Sequence, residues 1–98
     1  MPKVALLVEL QAKPGKAAEV AAFLASARPL AIAEAQTLSW YAVQLDADRF
    51  AIFDTFEAEA GRQAHLNGPI AAALMAKADA LLAAPPKIQQ ATVLADKA

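Results

Sequence analysis

Cysteine is absent from the sequence, which excludes disulfides, thiolate metal ligands and cysteine nucleophiles in one step. Only three glycines occur, at Gly15, Gly61 and Gly68, too isolated to form a phosphate-cradling loop. His65 is the single histidine, so the paired spacings that ligate zinc are missing and no metal site is expected. Charge of one sign is also missing: the net charge is −1, and the nine Lys and Arg residues are spread from Lys3 to Lys97. Without a basic cluster or interleaved aromatics, no nucleic-acid partner is expected. Apolar runs are short and interrupted, as in Val4 to Val8 before Glu9, far below the ~20 residues that span a bilayer, so no membrane association is expected. The start of the chain runs directly into a strand pattern with no signal-peptide regions, and a cytoplasmic location is expected.

Apolar residues are abundant, at 58 % against roughly 45 to 50 % in an ordinary soluble domain, and much of the excess is alanine. Residues 1 to 98 are expected to form one domain. A domain of this size removes only about 60 to 65 % of its unfolded-chain surface from water, so a partner subunit would add burial that the chain cannot supply alone.

Residues 3 to 12 place Val4, Leu6, Val8 and Leu10 on one face of an extended strand and Ala5, Leu7 and Glu9 on the other. Pro14-Gly15 supplies a turn. In KAAEVAAFLASAR, Val20, Phe23, Leu24 and Ala27 recur at helical spacing. Pro29 predicts an end near Arg28, with a short further turn through Leu30 to Ala35 as the alternative. Residues 37 to 45 and 49 to 56 are rich in aromatic and β-branched types around Asp46-Ala47-Asp48, the pattern of an antiparallel hairpin. A short helix is expected from Glu57 through Leu66, stopping at Asn67-Gly68. A second, opened by Pro69, carries the stripe Ile70, Leu74, Ala78 and Leu81. Residues 87 to 95 predict a fourth strand. The order is βαββαβ, an α+β ferredoxin-like arrangement with a four-stranded antiparallel sheet.

An antiparallel sheet with one solvated face alternates apolar and polar residues, and these strands do not. The third strand offers Phe50, Ile52 and Phe56 on one side and Ala51 and Phe53 on the other. An uncovered face of that kind exceeds the few hundred Å² that monomers tolerate. No segment is long enough to cover it, so two chains are expected to pack sheet to sheet as a homodimer, a dimeric α/β-barrel.

His65 is the one side chain that ordinarily titrates near neutral pH and is the candidate general acid or base. The alternative is a structural role at the Asn67-Gly68 corner. Asp54 sits in an apolar strand on the face of Ile52 and Phe56, where burial is costly without a partner. Two readings stand for it: it orients His65, or Asp54-Thr55-Phe56-Glu57 forms a capping box. Trp40 and Tyr41 must point to opposite faces. Glu9 is placed to pair with Lys87 or to lie at a sheet edge.

Over nearly its whole length the chain resembles the antibiotic biosynthesis monooxygenase family, the quinol monooxygenase-like proteins of dimeric α/β-barrel fold. The resemblance lies in VALLVELQAKPGK, in RFAIFDTFEAEAGRQAHLNGP, and in His65 within an Ala-His-Leu segment after the third strand. Phe53, Asp54, Thr55 and Phe56 match the aromatic, acidic, variable and aromatic residues that end that strand in the family, while Trp40 stands where a Tyr is usual. The haem-degrading branch carries an Asn, a Trp and a later His where this chain has Val8, Phe56 and no further histidine, so haem is not implied. What the resemblance implies is a cofactor-independent monooxygenase acting on a small quinol or polyphenol-like aromatic. His65 and Asp54 would be catalytic, and Trp40, Phe23, Phe56 and Met75 would line the substrate pocket. The alternative is a non-catalytic, small-ligand-binding or stress-associated dimer.

Overall fold

The structure, a computed structural model, describes residues 2 to 97. Its elements are β1 (Val4–Gln11), α1 (Ala17–Ser26), α2 (Arg28–Ala33), β2 (Thr37–Gln44), β3 (Arg49–Phe56), α3 (Glu59–Leu66), α4 (Pro69–Leu81) and β4 (Lys87–Thr92). The strands form one antiparallel sheet in the order β2-β3-β1-β4. This is the expected α+β ferredoxin-like fold. The sheet of one chain is open and does not close into a barrel.

Local chemistry sets most boundaries. Gly15 turns the chain after β1 at φ +79°, a backbone region that favours glycine. α1 ends at Ser26, close to the expected end near Arg28, and the further turn is present as a second helix that begins at Arg28 with the proline in its first turn, where a missing N–H leaves no hydrogen bond unmade. The capping-box reading of Asp54 fails. Strand pairing continues through Phe56, and the cap of α3 is Ala58, with no side-chain cap hydrogen bond. Thr55 instead shares a 2.5 Å hydrogen bond with Ser39 across the β2–β3 pair. The fourth strand is shorter than expected, ending at Thr92, although the Val93 N–H still donates to the Lys3 carbonyl.

The helices cover one face of the sheet. Val8, Leu10, Phe50 and Ile52 meet Val20 and Leu24 of α1 and Leu74, Ala78 and Leu81 of α4 in the main core. Phe56 is fully buried, and burial of a phenyl ring contributes roughly 1.5 to 3 kcal/mol. The other face carries Tyr41, Phe53 and Leu7 in one cross-strand row, with Val43 and Ala51 in the next. Tyr41 is 61 % and Phe53 40 % exposed. Trp40 points to the helices and Tyr41 away from them. Glu9, beside this face, accepts a 2.8 Å hydrogen bond from Gln89 and lies 3.9 Å from Lys87.

α3 is bound to the sheet by Arg62, which is buried although charged. Its Nη1 donates to the carbonyls of Ala5 (3.2 Å) and Ala91 (3.1 Å), and its Nε to Glu59 (3.1 Å). Bridging β1 and β4 in this way fixes α3 over the sheet and therefore fixes where His65 stands.

Candidate functional site

β3 carries Asp54 inward, opposite Leu6 of β1 and Trp40 of β2. In the last turn of α3, one residue before its end, His65 reaches the same place. Its Nε2 lies 2.9 Å from Asp54 Oδ2, and its Nδ1 lies 2.6 Å from Glu34 Oε1. Glu34 follows α2 and is held by Thr37, whose hydroxyl donates to Oε1 at 2.8 Å. One imidazole thus sits between two carboxylates from separate parts of the chain. Phe56 flanks it, with ring centroids 5.4 Å apart. The Nδ1 contact has hydrogen-bond geometry; the Nε2 contact is an ion pair in which the N–H is not aligned on Oδ2.

Burial by itself pulls the His65 pKa down, since it disfavours the charged ring. The close contacts and charges of Asp54 and Glu34 outweigh it and push the value up from 6.5 to about 9. At neutral pH His65 is therefore an imidazolium. In that form both ring nitrogens carry a proton and face carboxylates. Glu34 Oε2, Asp54 Oδ1 and Trp40 Nε1 are buried without a hydrogen-bond partner, and Asp54 Oδ2 has only its ion pair with His65. Orphaned polar atoms of this kind are costly and need a water, an ion or a ligand as explanation.

The segment around Glu34 lies tight against α3 because two glycines let it. A Cβ on Gly61 would stand 3.1 Å from Gln36 Cβ and from the Gln36 carbonyl, and one on Gly68 would stand 3.3 Å from Glu34 Oε2. Beside them is a cleft of about 130 Å³ that reaches His65, Glu34 and Thr37. Thr37 also borders a second cleft of about 320 Å³, lined by Arg28, Ile32, Leu38 and Trp40. Arg28 and Trp40 in turn border a third, of about 310 Å³, with Leu24, Ala42 and Phe50. The three share lining residues in sequence, and this run of neighbouring clefts, the trough, follows α1, α2 and β2 with His65 at one end.

The structure brings together His65, Asp54 and Phe56, and it places Trp40 on the trough. Phe23 and Met75 lie elsewhere. Phe23 borders a space of only about 10 Å³ between α1 and α4. Met75 is 57 % exposed and borders none of the described clefts. It follows Leu74, a buried member of the α4 stripe, and one helical step of 100° carries it out of the core. Phe56 is packed against His65 rather than lining open space. Sequence reasoning missed Glu34, whose link to His65 spans 31 positions, and Arg28. Neither has a local signature. Among the described residues no group of three or more His, Cys, Asp or Glu side chains is arranged to hold a metal ion, and no helix is long and apolar enough to cross a membrane.

Solved structures place this fold. One from Chloroflexus aurantiacus, provisionally named an antibiotic biosynthesis monooxygenase, is 20 % identical over 98 % of this chain and 97 % of its own, with a TM-score of 0.76. Another from Nitrosomonas europaea, with the same provisional name, is 16 % identical over 94 % of this chain and 99 % of its own, with a TM-score of 0.84. In fold the chain is similar to both of these proteins. At 56 % identity over 100 % of this chain and 95 % of the other, with a TM-score of 0.98, it is also similar to the NE2512 protein of unknown function from Nitrosomonas europaea, and the two belong to one family. No family model and no curated protein matches the chain.

Proposed function

We propose that the protein is a cofactor-independent monooxygenase that binds a small quinol or polyphenol-like aromatic in the trough along β2. The observation that carries the reading is the Glu34–His65–Asp54 line, centred on a buried imidazole, at the end of a run of clefts that reaches Trp40. One quinol and one dioxygen would give one hydroxyquinone and one water, with all electrons supplied by the quinol. The chain would bind the ring, exclude water and accept the phenolic proton. At neutral pH the acceptor is Glu34 through Oε2. Asp54 holds His65 and His65 holds Glu34 in place; the imidazole becomes a competent base only above pH ~9.

Two copies would pack through the uncovered sheet face. The accessible surface of one chain, 5910 Å², exceeds the about 5300 Å² usual for a monomer of this mass, and the apolar row at Tyr41, Phe53 and Leu7 occupies the middle of that face. The soluble, cytoplasmic homodimer is part of the same proposal.

A second reading, a non-catalytic ligand-binding dimer, is favoured by one feature: both nitrogens of His65 are already engaged. Oxygen uptake with a panel of hydroquinones in the presence of a chelator separates the two. Uptake above autoxidation, slowed about 10²-fold or more in Glu34→Gln, supports the enzyme. Thermal stabilisation by a quinol recovered unchanged, without uptake, supports the binder.

A further inference from the structure

We infer that the trough between α1, α2 and β2 takes a small aromatic organic acid, with its ring against Trp40 and its acid group on Arg28. This names a ligand class for the trough of the proposed monooxygenase and rests on that reading for its biological use, though not for binding.

Arg28 borders both of the larger clefts, at the point where they meet. Neither cleft is lined by an Asp or a Glu. Among the described residues Arg28 makes no ion pair and no side-chain hydrogen bond, whereas Arg49 pairs with Asp46 and Arg62 with Glu59. A protein of net charge −1 therefore presents an exposed, uncompensated cation on the lining shared by the two clefts. The neutral polar groups nearby do not offset it: the Ser39 hydroxyl is taken up by Thr55 and that of Thr37 by Glu34.

The complementary ligand has one acidic group and an aromatic body. A guanidinium binds a carboxylate through paired N–H donors that a neutral amide cannot match. The clefts on the two sides of Arg28, about 310 and 320 Å³, are each at the lower end of the range for small-molecule sites. Trp40 is the flat wall common to both, and aromatic faces stack on one another at such walls. A larger acidic partner is disfavoured, because one cation does not make a surface for a polyanion.

The test uses 2-naphthoate and its neutral analogue 2-naphthamide on the full chain. Trp40 is the only tryptophan, so its indole N–H gives one cross-peak in a proton–nitrogen spectrum and reports on the trough directly. The naphthoate is expected to move that peak and to bind about 5- to 10-fold more tightly than the amide by calorimetry. In Arg28→Gln the preference should vanish while amide binding stays; Arg28 is exposed, so the fold should survive. Arg28→Lys should keep part of it, and Lys77→Gln, on a different surface, all of it. Equal binding of acid and amide, a preference that survives Arg28→Gln, or an unmoved Trp40 peak would overturn the inference. Acid binding without oxygen uptake upholds the site and removes the monooxygenase reading. Uptake from neutral quinols together with equal binding of naphthoate and naphthamide does the reverse.

Discussion

Glu34 and Asp54 grip opposite nitrogens of one imidazole, at 2.6 Å and 2.9 Å. Because Glu34 belongs to the segment after α2, His65 to α3 and Asp54 to β3, one protonated ring joins three parts of the chain. The arrangement makes the fold itself responsive to pH.

The sign follows from linkage. The folded-state pKa of His65, about 9, lies above its ordinary 6.5. The folded state therefore binds the proton more tightly, and the stabilisation is fully present below pH 6.5. It fades as pH rises and is gone above about 9. The melting temperature should fall between pH 6.5 and 9.5, and the fall should be absent in His65→Gln. The Cε1 proton of this single histidine, followed by NMR, should titrate well above neutral. A midpoint near 6.5 would remove the ion-pair account.

Removal of the cation alone leaves two buried carboxylates facing each other. His65→Leu is expected to destabilise by about 3 to 5 kcal/mol, the range for breaking one side of a buried pair. Adding Asp54→Asn removes one of those charges and should return part of the loss, although each change is unfavourable alone. Urea denaturation of the two single variants and the double variant gives the cycle, and simple additivity would show that the groups do not act together.

Gly61→Ala tests the close approach of the Glu34 segment. On helix propensity alone the change should stabilise α3 by about 1 kcal/mol. The added Cβ would stand 3.1 Å from the Gln36 carbonyl, and backbone cannot move aside as a flexible side chain can. Overpacking of this kind costs about 1 to 3 kcal/mol, so the net effect should be a loss, with the His65–Glu34 contact loosened. A gain in stability would mean that the segment is not held as described.

How much of this was legible beforehand differs by residue. The strands were readable because aromatic and β-branched residues gather between turn signals such as Pro14-Gly15 and Asp46-Ala47-Asp48, and the fold followed from their order. Asp54 was visible as an acid among apolar neighbours, and His65 by being the only histidine, so their pairing was within reach. Glu34 was not. In AIAEAQT it reads as an ordinary surface acid, and only the packing of a segment 31 positions away gives it a partner. Arg28 beside Pro29 read as the end of a helix, and its place between two clefts depends on a second helix starting there. Met75 was misplaced by a single helical step, an error that composition cannot correct.

The uncovered face of the sheet yields the last expectation. Phe53 stands at its centre, between Tyr41 and Leu7, and is 40 % exposed in the single chain. Its side chain makes no contribution to the helix-side core, so Phe53→Lys should leave the monomer folded. If two copies pack sheet to sheet around a two-fold axis, the substitution also buries a pair of like charges near one another, one from each chain, which is strongly unfavourable without partners. The wild-type chain should sediment at about twice 10.2 kDa at micromolar concentration, and Phe53→Lys at about 10.2 kDa with unchanged far-ultraviolet dichroism. A wild-type protein that stays at the single-chain mass would show that the apolar row of Tyr41, Phe53 and Leu7 is left in water.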